Sequence, residues 1–338
     1  MRVLVLMHKD LVPPDSLDGL SEKEELDIAT EFDVMEGLRT LGHDVRALGV
    51  SEDLGKIRDM IVEWKPHVAF NLLEEFHGVA VYDQHVVSYL ELMKQPYTGC
   101  NPRGLMLSHD KGLSKQILTY HRIPTPRFQL FPRGRRVQPP KRLRYPILVK
   151  SSIEEASLGI SQASLVPTPE KLKERVEFVH EQLETDALAE EYIVGRELYL
   201  GVIGNQRLAT FPVWEMLFKN VPEGTPKFAT AKVKWDPNYQ RKLGIETARA
   251  EGIPAPIVEK IARTGKRIYK TLSLSGYARI DLRLTEDNEI YVLEANPNPY
   301  LANGEDFAES ASAAGLDYNA LLQRILQLGR SYKAAWRV

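Results

Sequence analysis

"YARIDLRLTEDNEIYVLEANPNP", residues 277–299, alternates apolar and polar side chains on either side of Asp287-Asn288. That pattern predicts a β-hairpin closed by the tight turn that Asp and Asn favour. With those two residues at the turn, Asp281 stands opposite Glu294, and Arg279 opposite Asn296. Directly opposed side chains have Cβ atoms about 4.5–5.5 Å apart, and like charges so placed destabilise a sheet unless something neutralises them. A solvated outer face tolerates such a pair, and a slip of one residue dissolves it. The rest of the chain has to decide between an idle surface pair and a site.

At 338 residues the chain is long enough for two or three domains. Charged residues make up 27% and nearly balance, with a formal net charge of −2, so no global field draws the protein to nucleic acid or to an anionic membrane. The opening "MRVLVLMHKD" has an apolar run too short to span a bilayer and is expected to be a first buried strand rather than a secretory signal. The one cysteine, Cys100, excludes an internal disulfide framework, fits a reducing cytoplasm and reads as a small buried filler.

Working outward, the first hundred residues alternate strand and helix, which predicts a parallel sheet with crossover helices. The strands are "RVLVLM", "HDVRALGV" and "HVAFNLL"; the helices run through Phe32, Met35, Leu38 and Leu41, and up to Trp64. The acidic stretch from Asp10 to Glu25 reads as loop. A second unit begins near Asn101, with Ser108 capping a helix from Asp110 to about Tyr120. Residues 133–144, "RGRRVQPPKRLR", carry six basic side chains without interleaved aromatics, and read as a solvated hairpin tip rather than a nucleic-acid contact. From "YPILVK" onward the pattern is paired strands, with helices at 169–184 and 254–272, an α+β arrangement; two closing helices end near Leu328.

Three stretches besides the hairpin can carry chemistry. Lys150 ends a strand before a polar loop through Ser157 and Gly159, a geometry suited to phosphate but equally to a plain surface turn. Glu190, Glu191 and Glu197 flank a strand connection, where carboxylates can accept from an amino group or sugar hydroxyls, or simply face water. Lys111 stands in the first turn of a helix, against the helix dipole, which hints at an anion nearby; a solvent-reaching lysine explains it as well.

Taken in order, "SEKEEL" (21–26), "FHG" (76–78), "PYTG" (96–99), "HDK" (109–111), "IPTP" (123–126), "ILVK" (147–150), "SLG" (157–159), "EEYIVGRE" (190–197), "ARID" (278–281) and "LEANPNP" (293–299) resemble the ATP-grasp superfamily and, within it, the D-alanine:D-alanine ligases. The resemblance implies an α/β and α+β protein: an N-terminal Rossmann-like parallel-sheet domain (1–100), then a two-lobed ATP-grasp fold with a small lobe (101–190) and a C-terminal lobe with the metal site (191–330). It implies an ATP-dependent carboxylate–amine ligase working through an acyl phosphate with release of ADP and phosphate. Small-molecule substrates, no nucleic acid, no membrane, a cytoplasmic location and the family's habit of forming homodimers go with it.

Carried over position by position, Lys111, Lys150 and the loop with Ser157 and Gly159 serve the phosphates, Glu190 and the Ile193 backbone the adenine, and Glu197 the ribose. Asp281, Glu294 and Asn296 hold Mg²⁺ or Mn²⁺; Arg279 stabilises the transferring phosphoryl group; Lys232 is the lid lysine. Glu25 and His77 meet the first substrate, while Tyr300 and Glu305 face the acceptor.

Departures from the family cluster where substrates belong: "VYDQ" (81–84) replaces a glycine-rich loop, Val233 an aromatic, Tyr300 a glycine, and Glu305 a serine that holds the acceptor's carboxylate. These point away from a simple α-amino acid acceptor and toward one with positive charge. They also leave room for a nucleotide sensor of the same fold without ligase turnover, against which Arg279 argues.

Overall fold

The structure is a computed structural model and describes residues 1–153, 159–222 and 226–334. The chain opens with β1 (Arg2–His8), α1 (Glu22–Asp27), α2 (Ala29–Thr40), β2 (Asp44–Val50), α3 (Leu54–Trp64), β3 (Val68–Asn71) and α4 (Asp83–Leu92). The three strands form a parallel sheet in the order β2-β1-β3. Val3 to Met7 are all buried, which is why β1 reads as an unbroken apolar run: helices cover both faces of a parallel sheet. Within the stretch expected to be loop, Ser21 and Glu24 form a capping box that starts α1.

Two helices follow, α5 (Pro102–His109) and α6 (Lys111–Tyr120). Asp110, not Ser108, caps α6, accepting from the Leu113 N–H at 2.8 Å, while Asn101 and Pro102 open α5. A small antiparallel sheet then forms from β4 (Phe128–Phe131), β5 (Ile147–Ser151), β6 (Leu165–Val166) and β7 (Ala187–Glu191), in the order β4-β7-β5-β6, with α7 (Pro169–Gln182) packed on it. Because β7 lies between β4 and β5, the basic stretch 133–144 is a crossing connection and not a hairpin tip. Ile147, Val149, Leu172, Val176 and Val179 give this sheet a core of its own.

The larger sheet contains β8 (Arg196–Ile203), β9 (Ala209–Thr210), β10 (Trp214–Phe218), β11 (Ile245–Arg249), β12 (Tyr277–Leu284) and β13 (Ile290–Pro297). Its order is β11-β10-β8-β12-β13, with β9 beside β8. Helices α8 (Ala231–Trp235), α9 (Pro237–Leu243), α10 (Ala255–Thr271), α11 (Asp306–Ser312) and α12 (Tyr318–Ser331) complete the chain. The apolar face of α12, through Leu322, Ile325 and Leu326, joins one cluster with Val3, Val5 and Phe70 of the first sheet, so the end of the chain packs onto its beginning. Among the described residues no helix is long and apolar enough to cross a membrane. Cys100 is fully buried, and burial pushes its thiol up to about 12, so it fills space and is unsuited to attack.

The opening hairpin holds its expected partners for a different reason from the one its sequence suggests. The Thr285 N–H bonds the Glu289 carbonyl at 3.0 Å, and Asn288 takes the left-handed conformation (φ 61°), so the turn has three residues between them rather than two. Leu282 therefore faces Val292, one position off the expected register. A β-bulge at Leu293 then restores it, setting Asp281 against Glu294 and Arg279 against Asn296.

Candidate functional site

A cleft opens between the small sheet and the larger one. Lys111 enters it from the start of α6, Lys150 from the end of β5, Glu190 and Ile193 from the end of β7, and Glu197 from β8; Asp281 and Glu294 come from the hairpin. Strand alternation does the aiming. Asp281 and Arg279, two apart on β12, share one face, and the register puts Glu294 and Asn296 on that face of β13.

The facing carboxylates are surrounded by cations. Arg279 donates to both Asp281 oxygens, at 2.8 and 3.0 Å, and its guanidinium carbon lies 4.7 Å from the centre of the Tyr199 ring. Lys111 and Lys150 stand 3.9 and 4.0 Å from Glu294. Burial pushes the Glu294 carboxyl up, but Lys111, Lys150, Lys234 and Arg279 outweigh it and hold it at about 2. Burial has the opposite outcome at Asp281: with Glu294 across from it, its carboxyl stays above the usual aspartate range despite the Arg279 fork.

These residues fit a hard divalent cation. The donors are oxygens of two acids and an amide, the set Mg²⁺ and its like prefer. The Asn296 side-chain nitrogen is buried and has no hydrogen-bond partner among the described residues, so nothing described there ties the amide down through its nitrogen. A carboxylate has about four lone-pair sites, so the fork on Asp281 leaves acceptors over. Among the described residues no group of three His, Cys, Asp or Glu is arranged to hold a metal, so the amide is needed to complete the set.

Behind the cleft wall lies a buried cluster absent from the sequence expectations. Glu190, only 2% exposed, meets the Lys150 ammonium at 2.9 Å on one oxygen and the Lys115 ammonium at 2.7 Å on the other. Lys115 also donates to Thr125 Oγ1 at 2.9 Å, and that hydroxyl donates to the Val292 carbonyl at 3.0 Å, next to the bulge that aims Glu294. The signal for Lys115 was its i,i+4 spacing from Lys111, which puts both lysines on one face of α6. The carboxylate expected to meet adenine is thus held on both oxygens by Lys115 and Lys150.

Some expected residues stand elsewhere. Lys232 is exposed, whereas Lys234 lines the cleft and lowers the Glu294 carboxyl; residues two apart on a helix point to opposite sides, and α8 turns its second lysine inward. Val233, between the two lysines, is a buried filler. Lys234→Ala is expected to lower turnover on the order of 10²-fold, as loss of one charge-stabilising donor does, and Lys232→Ala to leave it nearly unchanged; steady-state ADP release decides.

Glu25 and His77 are exposed and do not line the cleft. The capping box folds Glu24 back over Ser21 and leaves Glu25 on the outer side of α1, and the His77 N–H is tied to the Ser51 carbonyl at 2.7 Å. Tyr300 is half-buried: its hydroxyl donates to the Leu26 carbonyl at 3.2 Å, linking the loop after the hairpin to α1. Burial raises that phenol to about 12, so it stays protonated. Glu305 is exposed at the start of α11. Ser157 lies outside the described residues; Gly159 takes a left-handed conformation (φ 69°), and the neighbouring Ile160 carbonyl accepts from Ala231 at 3.1 Å, joining that loop to α8.

The family described as "D-ala D-ala ligase C-terminus" matches residues 117–327. An uncharacterized protein, y4sG, of Sinorhizobium fredii is 32% identical over 265 residues, covering 77% of this chain and 74% of its own. A D-alanine–D-alanine ligase of Geobacter sulfurreducens is 28% identical over 317 residues, covering 92% of this chain and 91% of its own. In fold, the chain is similar to the D-alanine–D-alanine ligase of Bacillus anthracis crystallised with ATP, with a TM-score of 0.73 at 23% identity over 97% of both chains. Paired acids on a bulged hairpin, lysines converging from a second sheet and this match across most of the chain lead to one conclusion: the chain belongs to the D-Ala–D-Ala ligase family of ATP-dependent ligases and has the ATP-grasp fold.

Proposed function

We propose that the chain joins a carboxylate to an amine through an acyl phosphate, with Mg²⁺ or Mn²⁺ bound by Asp281, Glu294 and Asn296. The observation that carries this reading is the Asp281–Glu294 pair, two acids opposed in a cleft whose nearest side chains are Lys111, Lys150 and Arg279. When bound, the metal neutralises phosphate charge. Lys111 and Lys150 then hold phosphate oxygens, Lys234 closes over them from α8, and Glu197 orients the ribose. Arg279 keeps Asp281 in place and offers its guanidinium to the charge that develops on the transferring group. Positioning and charge neutralisation suffice, because ATP supplies the driving force.

The acceptor in this reading carries a positive charge besides the reacting amine. Glu305 replaces the serine that would hold a carboxylate, and a like charge at contact costs about 1 kcal/mol in water-like surroundings, roughly fivefold in rate. The test is ADP and phosphate release across pairs of carboxylates and amines, D-alanine included. Cationic amines are expected to exceed D-alanine by at least that factor. Equal or better rates with D-alanine would overturn the acceptor assignment, and ATP binding without turnover on any pair would overturn the ligase reading.

A further inference from the structure

Arg283 is 3% exposed, lines the cleft, and has no part in the phosphate or metal contacts described above. It stands two residues after Asp281 on β12, so alternation brings it to the same face. Its Nη2 donates to Glu197 Oε2 at 2.7 Å and to the Lys227 carbonyl at 2.7 Å, and its Nη1 donates to the Gly195 carbonyl at 2.7 Å. The Tyr192 hydroxyl donates to that same Lys227 carbonyl at 3.0 Å, and the Arg283 guanidinium carbon lies 5.4 Å from the Tyr192 ring centre. Glu197 is thereby held on both oxygens, since its Oε1 accepts from Tyr199 at 3.1 Å.

We propose that Arg283 is the positioning residue for the sugar end of the nucleotide, presenting Glu197 to the ribose hydroxyls and anchoring the segment that leads into α8. The inference rests on the reading of the cleft as a nucleotide site. Three acceptors from two segments, Gly195 and Glu197 at the start of β8 and Lys227 ahead of α8, converge on one planar fork, which a lysine ammonium cannot reproduce. A buried carboxylate fixed by two donors keeps lone pairs for a ligand in a set direction; without the guanidinium it is free to rotate. Lys227 immediately precedes Phe228 and Ala229, which line the cleft, and α8 with Lys234 follows. Arg283 therefore joins sugar recognition to the lid.

A merely structural arginine would weaken all nucleotides alike, so the test is a ratio. Dissociation constants for ATP and 2′- and 3′-deoxy-ATP are measured by calorimetry with Mg²⁺ on the wild type, Arg283→Met and Arg283→Lys, with thermal unfolding of each. In the wild type, loss of a hydroxyl bonded to a charged carboxylate is expected to weaken binding at least about 10-fold for one analogue. In Arg283→Met that ratio is expected to fall to within about twofold of unity, while ATP itself binds about 10- to 100-fold more weakly. If the methionine variant does not fold, the lysine variant decides, with the ratio reduced at least threefold (roughly, for a fork replaced by a point donor). Undiminished discrimination in a folded variant, or none in the wild type, overturns the role of Arg283. A wild type that binds no ATP overturns the nucleotide site itself.

Discussion

Asp281→Asn is expected to lower ADP release at least about 10³-fold, equivalent to about 4 kcal/mol of transition-state stabilisation, without lowering stability to unfolding in urea. The substitution keeps shape and an oxygen acceptor for Arg279 but removes the charge that faces Glu294. Burial and the opposing acid hold the Asp281 carboxyl above its ordinary range, so its surroundings disfavour the ionised form relative to a free aspartate. A neutral isostere relieves that disfavour. A pair built only for stability would behave the other way, with stability lost and activity kept. The structure thus tolerates a locally unfavourable arrangement that an added cation would make favourable, as perturbed groups at functional sites often do.

Glu190→Gln should have the largest effect on stability, a loss of about 3–5 kcal/mol in urea unfolding, because Lys115 and Lys150 are then buried without their shared counter-charge. Burial raises the Glu190 carboxyl, but the two ammonium groups outweigh it and keep it below the usual glutamate range. A carboxyl with a depressed folded pKa contributes stability above its unfolded value of 4.5 and loses it as the pH falls through the folded one. The advantage of wild type over Glu190→Gln should accordingly be full at neutral pH and shrink in acid below 4.5. An advantage independent of pH would show that the cluster is held by packing rather than charge.

Much of this was legible in the sequence because it rests on periodicity. Strand alternation and approximate register were enough to bring Asp281, Glu294, Arg279 and Asn296 together, and apolar spacing located α7 and α10 to within two residues. What escaped depends on features with no local signature. The three-residue turn and the bulge at Leu293 cancel, so a two-residue turn predicts the right register at Asp281 although the turn itself is longer. The choice between Lys232 and Lys234 turns on the phase of a five-residue helix, too short to show a periodic face. Arg283 and Lys115 were hidden because their importance comes from partners 86 and 75 positions away in sequence (Arg283 to Glu197, and Lys115 to Glu190). The exposure of Glu25 follows from a capping box whose Ser21 and Glu24 were in plain view, read as loop because acidic residues dominated the stretch.

We propose that Asp281, Glu294 and Asn296 bind the divalent cation that accompanies ATP. It is tested most directly by Mn²⁺ binding, followed by electron paramagnetic resonance in the presence of ATP, on the wild type and on Asp281→Asn with Glu294→Gln. A protein–ATP-bound Mn²⁺ population is expected in the wild type, and at least about a 10-fold loss of Mn²⁺ affinity in the double variant, with its fold intact. Equal affinity in the two proteins would contradict it.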